Sequence, residues 1–598
     1  MRLFCGLPSV FAVVLFTAPL HAAAVNPWLT SDAKVSADQP MPDIFSIEAF
    51  HRSAAFMDLK PKEFCRKLFD LYYDGRRKNW NDFLVGMTLW AHTPQEPHAS
   101  DNVIELDPVV LLNVHGTGYC GIQSGLLEGI YQSGPGGEIG KPAIDARRWF
   151  LGGTVHSVCD AFYDGKWHYY DVDLGGFGGD DSKDVWSVAD VIANPDGYFG
   201  AATTLKSKYF FKADGDGKWV KTIDKTKSYC FQENHMLGHE MTFTLRKGES
   251  FTRFFSGADA GWKETLPFTK AIDEKQKGYC ELIYHPDPAE TKNDALSVQD
   301  GAAVYAVRCP YNISSSRVET GGKASVSFDL GQNWTALSAD GIVAGAANRW
   351  DYLLKIEGGE LIRVTTRGLL HPGSLPRIGA AATTMTLAKA APYESLTYIP
   401  DWSSAEKLAA CCSVEGLKYG PSQMLTFTGG ALGGGKGAVT VPVKAPPGTK
   451  IVKLGACAIG GGPVAAAPEN FIELFIGPTG QAKLAGRTTD CSAWDNDPAT
   501  HVEHWQNNVN GSAEFEPYAA AEVKVKVNGY GSVQGIRVYA GYVRSSPVAA
   551  SGTLVVTHGY DGKKFSKEIP VGDLDKAPVS YKVPDGAKAN NFVKMEVK

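Results

Sequence analysis

Apolar positions along this chain keep a helical period up to about Ala146 and a strand period beyond it. The stretch "SIEAFHRSAAFMD" (46–58) reads as a short helix. "KPKEFCRKLFDLYYDGRRKNWNDFLVGMTLWAH" (60–92) reads as one or two more, with Lys and Arg set between the apolar positions. In "VVLLNVHGTGYCGIQSGLLEGIYQ" (109–132) a Gly-broken loop gives way at Cys120 to an apolar-periodic segment, which "SGPGGEIG" terminates. After Ala146, "RRWFLGG", "HSVCDAFY", "WHYYDVD", "YFFKADGDGKWVKT" and "EMTFTLRKGESFTRFF" predict strands with Asp-Gly or Lys-Gly turns, interrupted by one helix at "DVWSVADVIAN". This part of the chain predicts an α+β unit, helices first and an antiparallel sheet after them.

Beyond Pro286 the helical signal fades. Short apolar segments such as "KASVSFDL", "WDYLLKIEG" and "ELIRVTT", separated by Gly, Asn and Pro, suit a β-sandwich. The Gly/Ala/Pro-rich patch "FTGGALGGGKGAVTVPVKAPPGTK" (427–450) reads as a seam before a further β-rich unit that contains "NFIELFIG", "AEVKVKVNG", "GIRVYAGYVR" and "GTLVVTH". A length of 598 residues fits several domains. The expected division is an α+β domain at 25–275, a β-sandwich-like domain at 276–445 and a second β-rich domain at 446–598.

The first residues change the picture. "MRLFCGLPSVFAVVLFTAPLHAAAVNPW" has one Arg, an apolar stretch from about Val10 to Leu20, and Ala22, Ala23 and Ala24 at the position of a cleavage site. Residues 1–24 are therefore expected to be a secretory signal peptide, and the mature protein secreted or periplasmic with no integral membrane segment. With 59 Lys+Arg against 65 Asp+Glu and no long run of either sign, nothing in the charge pattern points to nucleic acid or an anionic membrane surface. Of eleven cysteines only Cys5 lies in the leader, and an even set in an exported chain invites disulfides whose pairing the spacing does not name.

Candidate chemistry gathers in "HSVCDAFYDGKWHYYDVD" (156–173). With Asp164-Gly165 as a two-residue hairpin loop, Tyr163 faces Lys166, Val158 faces Asp171 and His156 faces Asp173. His156, Asp171 and Asp173 then share one face, so either carboxylate can reach the imidazole, while Cys159 points away. A bulge or a one-residue slip would reverse that assignment. Cys120, at the start of a helix after a Gly-containing loop, is the candidate nucleophile, because a helix N-terminus and a neighbouring imidazolium both favour a thiolate. A carboxylate on the other ring nitrogen would fix the tautomer of His156.

Gly-x-Cys at a helix start, His156 opening a strand, and "DGKWHYYD" with Trp167 four residues before Asp171 resemble the transglutaminase-like (papain-related) superfamily. The resemblance covers about residues 110–175 and extends loosely over the N-terminal 250. It implies a transglutaminase-like cysteine-protease fold with Cys120 as nucleophile, His156 as base and Asp171 as orienting carboxylate, Asp173 being the local rival. It also implies chemistry on a peptide, protein or cell-wall amide: peptidase, amidase or acyl transfer through a thioester, with no cofactor and no metal. Val158 stands where family members commonly carry an aromatic residue. "GYCGIQ" lacks the Trp that many true transglutaminases place after the nucleophile, which counts against protein crosslinking. Two rival readings stand beside this one. The first is a polysaccharide-active lyase or hydrolase with carbohydrate-binding β-modules, suited by the export signal and thirteen tryptophans. The second is a transglutaminase-like binding protein without turnover.

Weaker signals lie elsewhere. His235 and His239 sit four apart with Glu240 adjacent, but Gly238 spoils a metal-binding helix. Asp214 and Asp216 lack the remaining positions of a calcium loop. Arg246, Glu249 and Arg253 alternate as a solvated strand face would.

Overall fold

The computed structural model describes residues 25–30, 44, 46–77, 107–115, 120–133, 143–152, 156–172, 179–180, 184–193, 227–231, 241, 244–264, 277–288, 294–370, 384–389, 393–420, 428–461, 471–487, 506–529, 532–544, 552–560, 563–574, 576–582 and 590–598. The leader, Asp173, Asp214, Asp216, His235, His239 and Glu240 lie outside these residues. Among the described residues no helix is long and apolar enough to cross a membrane, and no cluster of three or more His, Cys, Asp or Glu side chains could hold a metal ion.

Helices come first. Ile47–Arg52 is capped by Ser46, whose hydroxyl accepts from Ala49 N at 3.0 Å, and it buries Ile47, Phe50 and His51. Pro61–Arg77 is amphipathic and turns Phe64, Cys65, Leu68, Phe69 and Leu71 inward. Cys120–Gln132 is buried along most of its length. A four-stranded antiparallel sheet follows, in the order Lys166–Tyr170, His156–Tyr163, Asp145–Leu151, Tyr229–Phe231.

The remainder is mostly β and is built in layers. A seven-stranded sheet runs Asn312–Thr320, Leu361–Leu370, Gly278–Tyr284, Glu249–Phe254, Asn590–Val597, Thr553–Tyr560, Lys563–Pro570. It shares an apolar core with a five-stranded sheet centred on Ala302–Arg308 and Asp351–Glu357. In Ala302–Arg308, Tyr305 and Val307 enter that core, while Val304 and Ala306 enter a second core on the other side. This two-sided burial explains why "AAVYAV" is a continuous apolar run rather than an alternating one. The second core is closed by the sheets that contain Thr449–Gly461 and Ser532–Arg544 on one side and Lys436–Lys444 and Ala520–Asn528 on the other.

The α+β and β-rich halves follow the order read from the sequence, but the expected boundaries at 275/276 and 445/446 do not divide the sheets. Glu249–Phe254 pairs with Asn590–Val597, so the last strands return to the first sandwich and the second is inserted between its strands. The Gly-rich patch is not a seam either. Lys436–Lys444 lies inside it as a core strand with Val439, Val441 and Val443 fully buried, and glycines at positive φ such as Gly434 and Gly435 form the turn before it. The expected solvated face at Arg246, Glu249 and Arg253 is buried. Arg246 makes a two-pronged ion pair with Glu249 at 3.0 and 3.1 Å, and Arg253 is fully enclosed over the Phe255 ring.

Candidate active site

The hairpin at the centre of the site folds as its turn dictates. Asp164 and Gly165 adopt φ of 51° and 79°, both left-handed, as a two-residue loop of the I′ type requires. Tyr163 pairs with Lys166, and the register runs without a bulge to Cys159 opposite Tyr170. Alternation then places His156, Val158 and Asp160 on one face with Trp149, Leu151 and Tyr169, and Asp171 falls on the same face. Val158, Trp149, Leu151 and Tyr169 pack with Val188 and Val191 of the helix Val188–Ala193 into a small apolar cluster that backs the site.

Onto this face the structure brings His156 Nε2 within 2.7 Å of Asp171 Oδ2. Tyr169 Oη donates to the same carboxylate oxygen at 3.1 Å. His156 is 4% exposed and Asp171 2%, so neither group has bulk water to satisfy it and the pairing must do so. Cys120, the first residue of its helix, is an unpaired thiol, 9% exposed, within hydrogen-bonding reach of the His156 ring. Cys120, His156 and Asp171 therefore lie together, with the Asp171 carboxylate bonded to the imidazole.

Burial alone would push His156 down, because it penalises imidazolium, but the Asp171 carboxylate and its hydrogen bond, together with the Cys120 thiol, outweigh it and hold the ring well above the ordinary histidine range. The folded protein thus binds a proton that the unfolded chain releases near pH 6.5, and stability from this pair is complete below that pH and is lost as pH rises through the folded-state value. Asp171→Asn should therefore flatten the fall in unfolding free energy that the wild type shows from pH 6.5 upward in urea titrations. Equal slopes for the two proteins would contradict the pairing.

A second layer that the sequence reading missed holds the strands in place. Asp160, fully buried, accepts from Trp149 Nε1 at 2.9 Å, from Arg147 at 3.3 Å and from Val188 N at 3.1 Å. Arg147 lies 3.9 Å over the Trp167 ring, which makes Trp167 part of this scaffold. Tyr169 was legible in principle, since it stands two residues before Asp171 on a strand and so shares its face. His168, the other hairpin histidine, is bracketed by the carbonyl oxygens of Val185 and Tyr163 at 3.0 and 3.1 Å. Cys159 is enclosed in the main core, where burial pushes its thiol well up.

No family model matches the chain, and no curated protein matches it. Among solved structures it is similar to the C-terminal CBM6 of LamC, a marine laminarinase from Zobellia galactanivorans, at 11% identity over 24% of this chain and 98% of that one, with a TM-score of 0.16. It is also similar to a cycloalternan-forming enzyme from Listeria monocytogenes in complex with a pentasaccharide, at 11% identity over 51% of this chain and 23% of that one, with a TM-score of 0.17. Dimeric latent PorU from Porphyromonas gingivalis matches at 11% identity over 50% of this chain and 32% of that one, TM-score 0.17. The chain spans under a third of the length of the latter two, and at these TM-scores no argument about fold or function rests on any of them.

Proposed function

We propose that this protein is an exported, transglutaminase-like cysteine hydrolase or acyltransferase that acts on an amide bond, in a peptide, a protein or cell-wall material. The observation that carries the reading is the chain of contacts from the Cys120 thiol to His156 and from His156 Nε2 to Asp171 at 2.7 Å. With the proton already held on His156, the Cys120 sulfur attacks the carbonyl carbon of the substrate. Negative charge develops on the carbonyl oxygen, and the Cys120 backbone N–H, which as a first-turn group has no partner within its helix, is the donor assigned to receive it. His156 then gives its proton to the departing amine as the C–N bond breaks, which leaves a thioester on Cys120. Water or a second amine resolves the thioester and restores the thiol. Asp171 keeps the imidazole in the useful tautomer and offsets its positive charge, and Tyr169 steadies Asp171. The missing Trp after the nucleophile favours hydrolysis over crosslinking.

The reading is tested by incubating the full chain with an activated ester, p-nitrophenyl acetate, and measuring intact mass after rapid acid quench. A single acetyl group on Cys120 that builds up in a burst and is discharged faster by hydroxylamine supports it. Absence of the adduct, or polysaccharide cleavage that persists in Cys120→Ser, would favour the polysaccharide-active reading instead.

A further inference from the structure

Three adjacent strands of the seven-stranded sheet set one row of side chains in register: Arg253 faces Cys280, and Cys280 faces Gly368. Cys309, which follows the strand Ala302–Arg308 of the five-stranded sheet, brings its sulfur over this row, 3.9 Å from Cys280 Sγ. Gly368 makes the room. A Cβ at that position would stand 2.7 Å from the sulfur of Cys280 and 2.9 Å from that of Cys309, closer than side chains approach each other. The row is thus complete only when the second sulfur fills the hollow that the glycine leaves. Both thiols are enclosed, at 0% and 3% exposure.

We propose that in an oxidising compartment Cys280 and Cys309 close to a disulfide that staples the seven-stranded sheet to the five-stranded one. The proposal rests on the export reading and is independent of the triad. A disulfide bond of about 2.05 Å needs the two sulfurs to turn toward each other, into space already free of a side chain at residue 368. The oxidant is a disulfide of a small thiol such as glutathione, or of a thiol oxidase. One cysteine thiolate attacks it, forming a mixed disulfide and expelling one donor thiolate. The second cysteine thiolate attacks that bond, forming Cys280–Cys309 and expelling the other donor thiolate, so that two cysteines are oxidised and one donor disulfide is reduced. Burial pushes the Cys280 thiol well up, against the pull of Arg253, so exchange is slow in the folded protein and the bond forms as the sheets come together. The bridge joins residues 29 apart in the chain, a loop long enough for cross-linking to restrict the unfolded ensemble appreciably.

The test is to produce the full chain in a bacterial periplasm behind a supplied leader and in the reducing cytosol, block free thiols in denaturant with iodoacetamide, digest without reduction, and map peptides by mass spectrometry. A linked peptide pair containing Cys280 and Cys309 in the periplasmic sample, absent after dithiothreitol, supports the proposal. Carbamidomethylation of both cysteines in that sample, or linkage of either to a different cysteine, overturns it. On the same wild-type samples the thermal midpoint should be higher for the oxidised protein by on the order of 5 °C, and equal midpoints would overturn the stapling role. Cys120 is read in the same digest as a carbamidomethylated peptide, so a failure of this pair and a failure of the proposed nucleophile leave different signatures.

Discussion

Cys120→Ser should lower turnover of an amide or ester substrate at least ~10³-fold while leaving the thermal midpoint where it is. Packing changes little, because serine keeps the shape of cysteine at this first position of the helix. What serine cannot do is lose its proton to an imidazole as readily as a thiol does. His156→Ala should cost a comparable factor, and the double variant should be no worse than either single one, because a nucleophile and its base act as one device and the second loss has nothing left to remove. Additive losses in the double variant, or turnover within a few-fold of wild type in Cys120→Ser, would mean that the thiol and the imidazole do not work together.

A loss of stability of about 3–5 kcal/mol is expected from Arg537→Met, and a similar one from Asp107→Asn. These two side chains meet at 2.7 Å with exposures of 2% and 0%, although 430 residues separate them. Asp107 also caps the short helix Pro108–Val110, accepting from Val109 N at 3.0 Å and Val110 N at 3.2 Å, so this one carboxylate ties the segment that leads to Cys120 onto a central strand of the second sandwich. Removing either partner takes from the other a buried, charge-assisted contact at 2.7 Å, which is far costlier than never having had the pair. Asp107→Asn isolates that effect, because Asn keeps an acceptor for the cap. The double variant should recover much of the loss, and a double-mutant cycle on urea midpoints reads the coupling directly. Simple addition of the two losses would show that the pair holds no charge in common.

This ion pair also marks where sequence reading stops. The hairpin was legible because Asp164-Gly165 fixes both turn type and register, and register decides which residues face His156. The helix start at Cys120 was legible because a Gly-broken loop precedes an apolar period. Cys120, His156 and Asp171 therefore emerged from local rules plus one family-like order. The pairing of Glu249–Phe254 with Asn590–Val597 follows no local rule, since any apolar strand could have been its neighbour. The same limit hid the burial of Arg246, Glu249 and Arg253. Alternating charge on a strand reads as solvated unless its neighbours are known, and here they include the strand Asn590–Val597 from the far end of the chain, paired beside it in the same sheet. The Gly-rich patch misled for a related reason: glycines that serve tight turns inside a sandwich look the same in sequence as glycines of a linker.

Cooperation of the Cys120 thiol with His156 is read by the pH dependence of iodoacetamide labelling of the native chain, with the modified cysteine identified by mass spectrometry, for wild type and His156→Ala. Cys120 should be modified first, at pH 6.5 at least about tenfold faster than an ordinary thiol with its pKa near 8.5, and His156→Ala should abolish this advantage. Uniform slow labelling of all thiols, or unchanged preference for Cys120 in His156→Ala, would contradict it.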